Sequence, residues 1–180
     1  MIELMILGFL AEGPLHGYEL RRRMNRLHGY ARAISDGTIY PAINRLIASG
    51  ALLQTLETGR GATTRRTLHL TERGHEQLLQ RLRAASGHDI TDGARFFIVL
   101  AFLSLLPDDF ERRAVLQRRL DFLDQPVGFF FDADRPLRAA EITDPYRQGI
   151  LVTARAARRA ELTWLRDQLG PTSRSVREQT

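Results

Sequence analysis

Apolar positions repeat at helical spacing through most of the chain and alternate only once, which predicts a mainly α protein with a single small β element. Within Ser35 to Gly50, Ile39, Ile43, Leu46 and Ile47 recur at i, i+4, i+7 and i+8, the signature of a helix with one buried face. The same spacing turns Tyr40, Pro41, Asn44 and Arg45 outward as two neighbouring i, i+4 pairs. A proline fits best in a helix's first turn, so Pro41 places the start only a few residues upstream, with Ser35, Asp36 or Thr38 as cap and Gly50 as stop. Upstream, Ile2 to Ala11 carries Ile2, Met5, Ile6, Phe9 and Leu10 on one face and ends at Gly13-Pro14. The next helix, in LHGYELRRRMNRLHG, points Leu20, Met24 and Leu27 inward and crowds Arg21, Arg22, Arg23 and Arg26 onto its outer side. A short connection, with Tyr30 to Ile34 read as a short strand, then leads to the Ser35–Gly50 helix in a helix-turn-helix order.

Beyond Gly50, Leu52, Gln54 and Leu56 fall on one side of a run, and a second run alternates Arg66, Leu68 and Leu70 against Arg65, Thr67 and His69. Both read as strands joined by the glycine-rich TGRGAT, a hairpin or wing. Thr71 caps a further helix with Leu78, Leu79 and Leu82 inward, and Gly87 to Asp89 marks a domain boundary. The second half is helical. Thr91 to Leu106 is apolar nearly all round; a helix from about Pro107 to Asp124 offers Phe110, Leu116, Leu120 and Leu123 to a core. Gln125 to Thr143 reads as a loop or short helix, and Asp144-Pro145 opens a long helix that stops at Gly170-Pro171. That last helix has one stripe of Tyr146, Ile150, Ala154, Ala157 and Trp164 and another of Leu151, Leu162, Leu165 and Leu169, a surface suited to a second subunit. The expected organisation is a winged helix-turn-helix over residues 1–86, a helical dimerisation and effector domain over 87–171, and a disordered tail over 172–180.

Charge gives this layout a direction. Residues 1–84 hold 12 Arg against 7 acids, and residues 85–180 hold 14 Arg against 14, so the whole net charge of +5 lies in the first half. An excess confined to one domain suits a polyanion partner for that domain, and Arg60, Arg65 and Arg66 sit where a wing meets a nucleic-acid backbone or minor groove. Every basic side chain is Arg because Lys is absent, which points to base composition of the genome more than to selection at any one contact. Cysteine is absent, excluding disulfides, thiolate metal sites and cysteine catalysis. No apolar run reaches the length of a membrane span, and no charged leader with an apolar core opens the chain, so a cytoplasmic protein is expected.

LHGYEL, then SDGTIYPAINRLIASGAL, then GR…RRTLHLTERG resemble the PadR family of winged-helix transcription regulators in order and spacing, over about Met1 to Ala84. The resemblance implies a dimeric regulator, usually a repressor, that binds an imperfect palindrome in double-stranded DNA and is released by a small molecule. A C-terminal half of this length is similar to the longer subgroup, whose added helices dimerise. Carried over by position, Tyr18, Ser35, Thr38, Tyr40, Pro41, Asn44 and Arg45 would meet DNA, with Arg60, Arg65 and Arg66 in the wing. Thr67 and Leu68 stand where an aromatic is usual, and GRGATT lacks the common wing proline, so the wing's shape departs from the pattern.

Other chemistry has less support. His16, His28, His69, His75 and His88 show no H-x-x-x-H spacing, GRGATT has no Lys before its Thr and no following helix, and no Ser-His-Asp order or dinucleotide fingerprint is present. No cofactor, metal or catalysis is expected. Trp164, with Phe97, Phe129 and Tyr146, could line a pocket for a small aromatic or hydrophobic effector, although aromatics at helical spacing more often fill a core. The alternative to a DNA-binding regulator is a winged-helix protein-interaction module that uses the Tyr40 face.

Overall fold

A computed structural model describes residues 1–28, 34–58, 64–125, 130–132 and 135–170. They form two compact units, Met1–Arg112 and Arg113–Thr180. The readings for Tyr30 to Ala33, for the TGRGAT tip with Arg60, for Phe129 and for the tail lie outside the described residues, as do the side chains of Arg65 and Phe131.

In the first unit, α1 (Ile2–Ala11), β1 (Leu15–His16), α2 (Gly17–His28), α3 (Asp36–Ala48), β2 (Leu52–Thr58), β3 (Thr64–Leu70) and α4 (Glu72–Arg83) follow in order, then α5 (His88–Thr91) and α6 (Gly93–Phe102). The three strands make one antiparallel sheet in the order β1-β3-β2. β2 and β3 pair from Leu52↔Leu70 to Thr58↔Thr64, the hairpin that the alternation predicts. β1, which pairs Leu15 with Leu68 and His16 with Thr67, is new. Two residues cannot display a period of two, so periodicity could not reveal it.

α1 is the centre of this unit. Leu4, Met5, Ile6, Leu7, Gly8 and Leu10 are all buried, so the helix is enclosed on most of its circumference and not along the single stripe expected. Contacts from α2, α3, α4, β3 and α6 surround it. Gly8 is required by that enclosure: a Cβ there would lie 2.5 Å from Cδ1 of Phe102, whose ring meets Phe9 edge-on at 5.1 Å. Leu20 and Met24 of α2, Ile39 and Leu46 of α3, and Leu78 and Leu82 of α4 complete the core. α4 is capped as expected, with Thr71 Oγ1 accepting from the Gly74 N–H at 3.1 Å. Because such caps contribute about 1 kcal/mol, Thr71→Ala should lower the urea midpoint measurably without altering the unfolding slope.

One apolar residue is not where the pattern placed it. Phe110, expected in a core, is 78% exposed; it is the second residue of α7 (Asp109–Asp124), where Asp108 accepts its N–H at 2.9 Å. Along one side of β2, Leu52 is buried and Leu56, nearer the tip of the hairpin, is exposed.

The second unit is built on the antiparallel pairing of α7, from Arg113 onward, with α8 (Pro145–Leu169). α8 starts and stops as Asp144-Pro145 and Gly170 predict, with Asp144 Oδ1 accepting from the Tyr146 N–H at 2.8 Å and Gly170 at φ 65°. Two arginines cap the pair crosswise. Arg113 of α7 donates to the carbonyls of Gln168 and Leu169 at the end of α8, and Arg158 of α8 donates to those of Leu123 and Gln125 at the end of α7. Cations there satisfy orphan carbonyls and suit the negative helix end. Between these caps, Arg119 binds Glu161 through Nε at 2.7 Å and Nη2 at 2.9 Å. Gln125 to Thr143, read as loop or short helix, contains a two-residue antiparallel pair, β4 (Phe131–Asp132) with β5 (Arg135–Pro136), and a 3-10 turn at Ala139–Glu141. Arg135 and the Arg138 N–H bind Glu141, whose carboxyl is pushed down to about 2.

Candidate nucleic-acid interface

α3 presents the surface that its sequence predicts. Ile39, Ala42, Ile43 and Leu46 are buried, while Thr38, Tyr40, Pro41, Asn44 and Arg45 are exposed. Ser35 is the N-cap and Gly50 turns the chain at φ 74°. The cap uses no side-chain bond to the helix; Ser35 Oγ and Thr38 Oγ1 instead bond each other at 3.1 Å. Pro41 is a correction. It lies sixth in the helix and not in its first turn, so the bond that its N–H would make to the Gly37 carbonyl is missing. The Gly37 carbonyl that loses this bond is left at the exposed start of the helix.

α2 buttresses this start. Arg21 donates to Asp36 Oδ1 at 2.5 Å and its guanidinium lies 5.7 Å from the centre of the Tyr18 ring, so one side chain joins the two helices and braces an aromatic. Tyr18 is 65% exposed and Tyr40 50%. A Cβ on Gly17 would come within 3.7 Å of the Tyr40 hydroxyl, which places the second tyrosine against the first turn of α2. Two exposed tyrosines thus flank the polar start of α3, each with an apolar ring for a sugar or methyl group and a hydroxyl for a phosphate. Arg66, exposed on β3 opposite Leu56, adds a cation from the wing.

The arginine run on α2 is largely matched. Arg22 binds Glu19 at 2.8 Å, Arg23 binds both Glu19 and Glu12, and Arg21 is committed to Asp36. Exposed pairs of this kind contribute little to stability, but they cancel much of the positive field that the run alone would project. Arg26 is exposed on the same helix.

Arg45 has a partner that sequence reading missed. Its Nε donates to Glu3 Oε1 at 3.2 Å, and Arg81 of α4 donates to the other oxygen, Oε2, at 2.5 Å. Burial disfavours the Glu3 carboxylate, yet the hydrogen bonds from Arg81 and Arg45 outweigh it and hold the carboxyl below its ordinary value. The available signal was a lone acid in an otherwise apolar first helix, and 42 residues of separation concealed its partner. Since the folded carboxyl titrates lower than the free one, its contribution is present above the ordinary glutamate pKa of about 4.3 and is lost as pH falls through the folded value. Glu3→Gln should therefore lower Tm at neutral pH and flatten the acid limb of a curve of Tm against pH, so that the variant and wild-type curves converge as pH falls below the folded value.

The proposed effector aromatics are not buried. Phe97 is exposed on α6 in the first unit; Tyr146 is exposed and Trp164 is 39% exposed on α8 in the second. The buried stripe of α8 is Leu151, Leu165 and Leu169, which leaves Tyr146, Ile150, Ala157 and Trp164 on its outer side. Among the described residues no cluster of three or more His, Asp and Glu could hold a metal, and no helix is long and apolar enough to cross a membrane.

Comparison with known proteins gives this arrangement a family. Transcriptional regulator Rv3488 of Mycobacterium tuberculosis (strain ATCC 25618 / H37Rv) is 36% identical over 85 residues, which are 46% of this chain and 74% of that protein. Among solved structures, Bacillus subtilis PadR in complex with operator DNA is 19% identical over 93% of this chain and 95% of its own, with a TM-score of 0.45. A transcriptional regulator from Clostridium thermocellum, Cth-833, is 25% identical over 44% of this chain and 76% of its own, with a TM-score of 0.40. Residues 6–80, from α1 through most of α4, match the profile of the Transcriptional regulator PadR-like family, and with the mycobacterial relative they show that this chain belongs to that family of regulators, which are not enzymes.

Proposed function

We propose that the protein is a sequence-reading regulator that binds double-stranded DNA through α3 and the wing, acts as a homodimer on a palindromic operator, and represses until a small aromatic or hydrophobic effector releases it. The observation that carries the reading is the outward face of α3, where Thr38, Tyr40, Pro41, Asn44 and Arg45 are all exposed beside the exposed Tyr18 of α2. The Asn44 amide has the geometry for adenine and the Arg45 fork for guanine. Ser35, Thr38, Tyr18 and Tyr40 supply hydroxyls for phosphates, and Arg66, with Arg60 and Arg65, supplies cations from the wing.

The outer stripe of α8 supports the dimer. Tyr146, Ile150, Ala157 and Trp164 give it large apolar side chains next to a small one, as a helix packing on its own copy requires. In this reading residues 1–86 contact DNA and residues 87–171 dimerise and receive the effector, with Trp164 and Tyr146 of α8 as its aromatic contacts.

A gel shift with the duplex upstream of the protein's own gene tests the DNA reading. Log affinity should fall linearly with log salt, with a slope near −0.9 per phosphate neutralised. Affinity that is indifferent to salt would favour a protein-interaction module on the Tyr40 face. For the effector, Trp164→Ala should keep DNA affinity and lose release by small aromatic or hydrophobic compounds; a variant that instead falls to monomers makes Trp164 an interface residue.

A further inference from the structure

We infer that Glu3 is a positioning residue for base readout: by taking the Nε–H of Arg45 it fixes the guanidinium so that its two Nη groups form an outward fork for a guanine. The inference rests on the DNA reading above and assigns a role to a residue outside the recognition helix.

Arg45 is 64% exposed, and among the described residues it donates to Glu3 alone, through Nε. An arginine on an open surface samples many rotamers, and ordering it on binding costs conformational entropy. Here that ordering precedes binding. The anchor is itself fixed, because Glu3 stands on α1, the most enclosed helix of the unit, and its second oxygen is held at 2.5 Å by Arg81 of α4. Three helices therefore converge on one carboxylate. With Nε occupied, the hydrogens that remain for a ligand are those of Nη1 and Nη2, whose parallel pair matches the O6 and N7 acceptors of guanine in the major groove.

Charge favours this role over masking. One carboxylate serves two arginines, so the cluster stays positive towards a polyanion, and neither bond to Glu3 uses the Nη groups of Arg45.

The test is selection from a randomised duplex pool, sequenced after binding to the full chain as wild type, Arg45→Ala, Glu3→Gln and Arg81→Gln. Wild type should enrich a motif, and Arg45→Ala should flatten a guanine position and its symmetry mate. Glu3→Gln should lower the preference at that same position about tenfold, leave the other positions unchanged, and bind a scrambled duplex at least as well as wild type. Arg81→Gln, which frees the anchor but keeps the pair, should flatten the position less and serves as the second probe if Glu3→Gln fails to fold. Full guanine preference in Glu3→Gln, or flattening spread equally over all positions, overturns the positioning role while the DNA reading stands. If wild type enriches no sequence, both fall together.

Discussion

Gly74→Ala is expected to cost about 3 kcal/mol, the upper end for overpacking, and to lower Tm by about 10 °C. A Cβ at this position would overlap the carbonyl oxygen of Ala51 and lie 2.7 Å from Cδ1 of Leu70. That carbonyl is backbone and is already engaged, accepting from the Thr71 N–H at 3.1 Å and from Thr71 Oγ1 at 3.0 Å. It cannot swing aside as a side chain would. Relief requires α4 to lift from the start of β2, which loosens the Thr71 cap and draws Leu78 and Leu82 out of the core together. Gly8→Ala meets a ring instead of a backbone atom, and the Phe102 side chain has rotamers to try, so its cost should be smaller. Thermal unfolding followed by circular dichroism separates the two; equal Tm values for Gly74→Ala and wild type would show that the close approach is absent.

The second large effect is asymmetric. Arg119 is 4% exposed and Glu161 19%, so the two ends of the same ion pair differ in their access to water. Removing the carboxylate by Glu161→Leu takes a bidentate charge partner from a buried cation, and the expected loss is up to about 3–5 kcal/mol. Removing the cation by Arg119→Met leaves a carboxylate that can reach solvent, and the aliphatic replacement keeps its packing beside Phe122, so about 1 kcal/mol is expected. The double variant Arg119→Met, Glu161→Leu should recover most of the loss, since an apolar pair avoids desolvating either charge. Urea unfolding of the three variants measures this; a Glu161→Leu midpoint no lower than that of Arg119→Met would place the charge in water and not in the packed face of α7 and α8.

Much of this architecture was legible because its signals are local. α1 begins and ends where its apolar run and Gly13-Pro14 put it, and the ends of α8 follow from Asp144, Pro145 and Gly170. Caps and a period of 3.6 lie within a few residues of what they control. What was missed depends on distance or length. β1 is too short to alternate, Phe110 follows a cap at the exposed start of α7, and Pro41 sits a turn deeper than helix preference allows. At the candidate interface, the exposed face of α3 could be read from spacing, whereas the Glu3 anchor and the Arg21 brace to Asp36 join residues 42 and 15 positions apart. No periodicity encodes a pairing across such separations. The arginine run on α2 is the reverse case: its composition suggested an open basic stripe, and the carboxylates of Glu12, Glu19 and Asp36 fold back onto it.

The outward face of α3 as a DNA reader is tested most directly by an equilibrium titration of a fluorescent duplex from upstream of the gene, wild type beside Tyr40→Ala, Asn44→Ala and Arg45→Ala. All three side chains are exposed, so Tyr40→Ala and Asn44→Ala should stay close to the wild-type Tm and Arg45→Ala, which loses one exposed ion pair, should fall by no more than a few degrees. Asn44→Ala and Arg45→Ala should each weaken the specific complex by about 1–3 kcal/mol while leaving binding to a scrambled duplex nearly as it was for Asn44→Ala. Unchanged affinity in all three, with the fold intact, would contradict the reading and move the DNA, if it binds at all, to another surface.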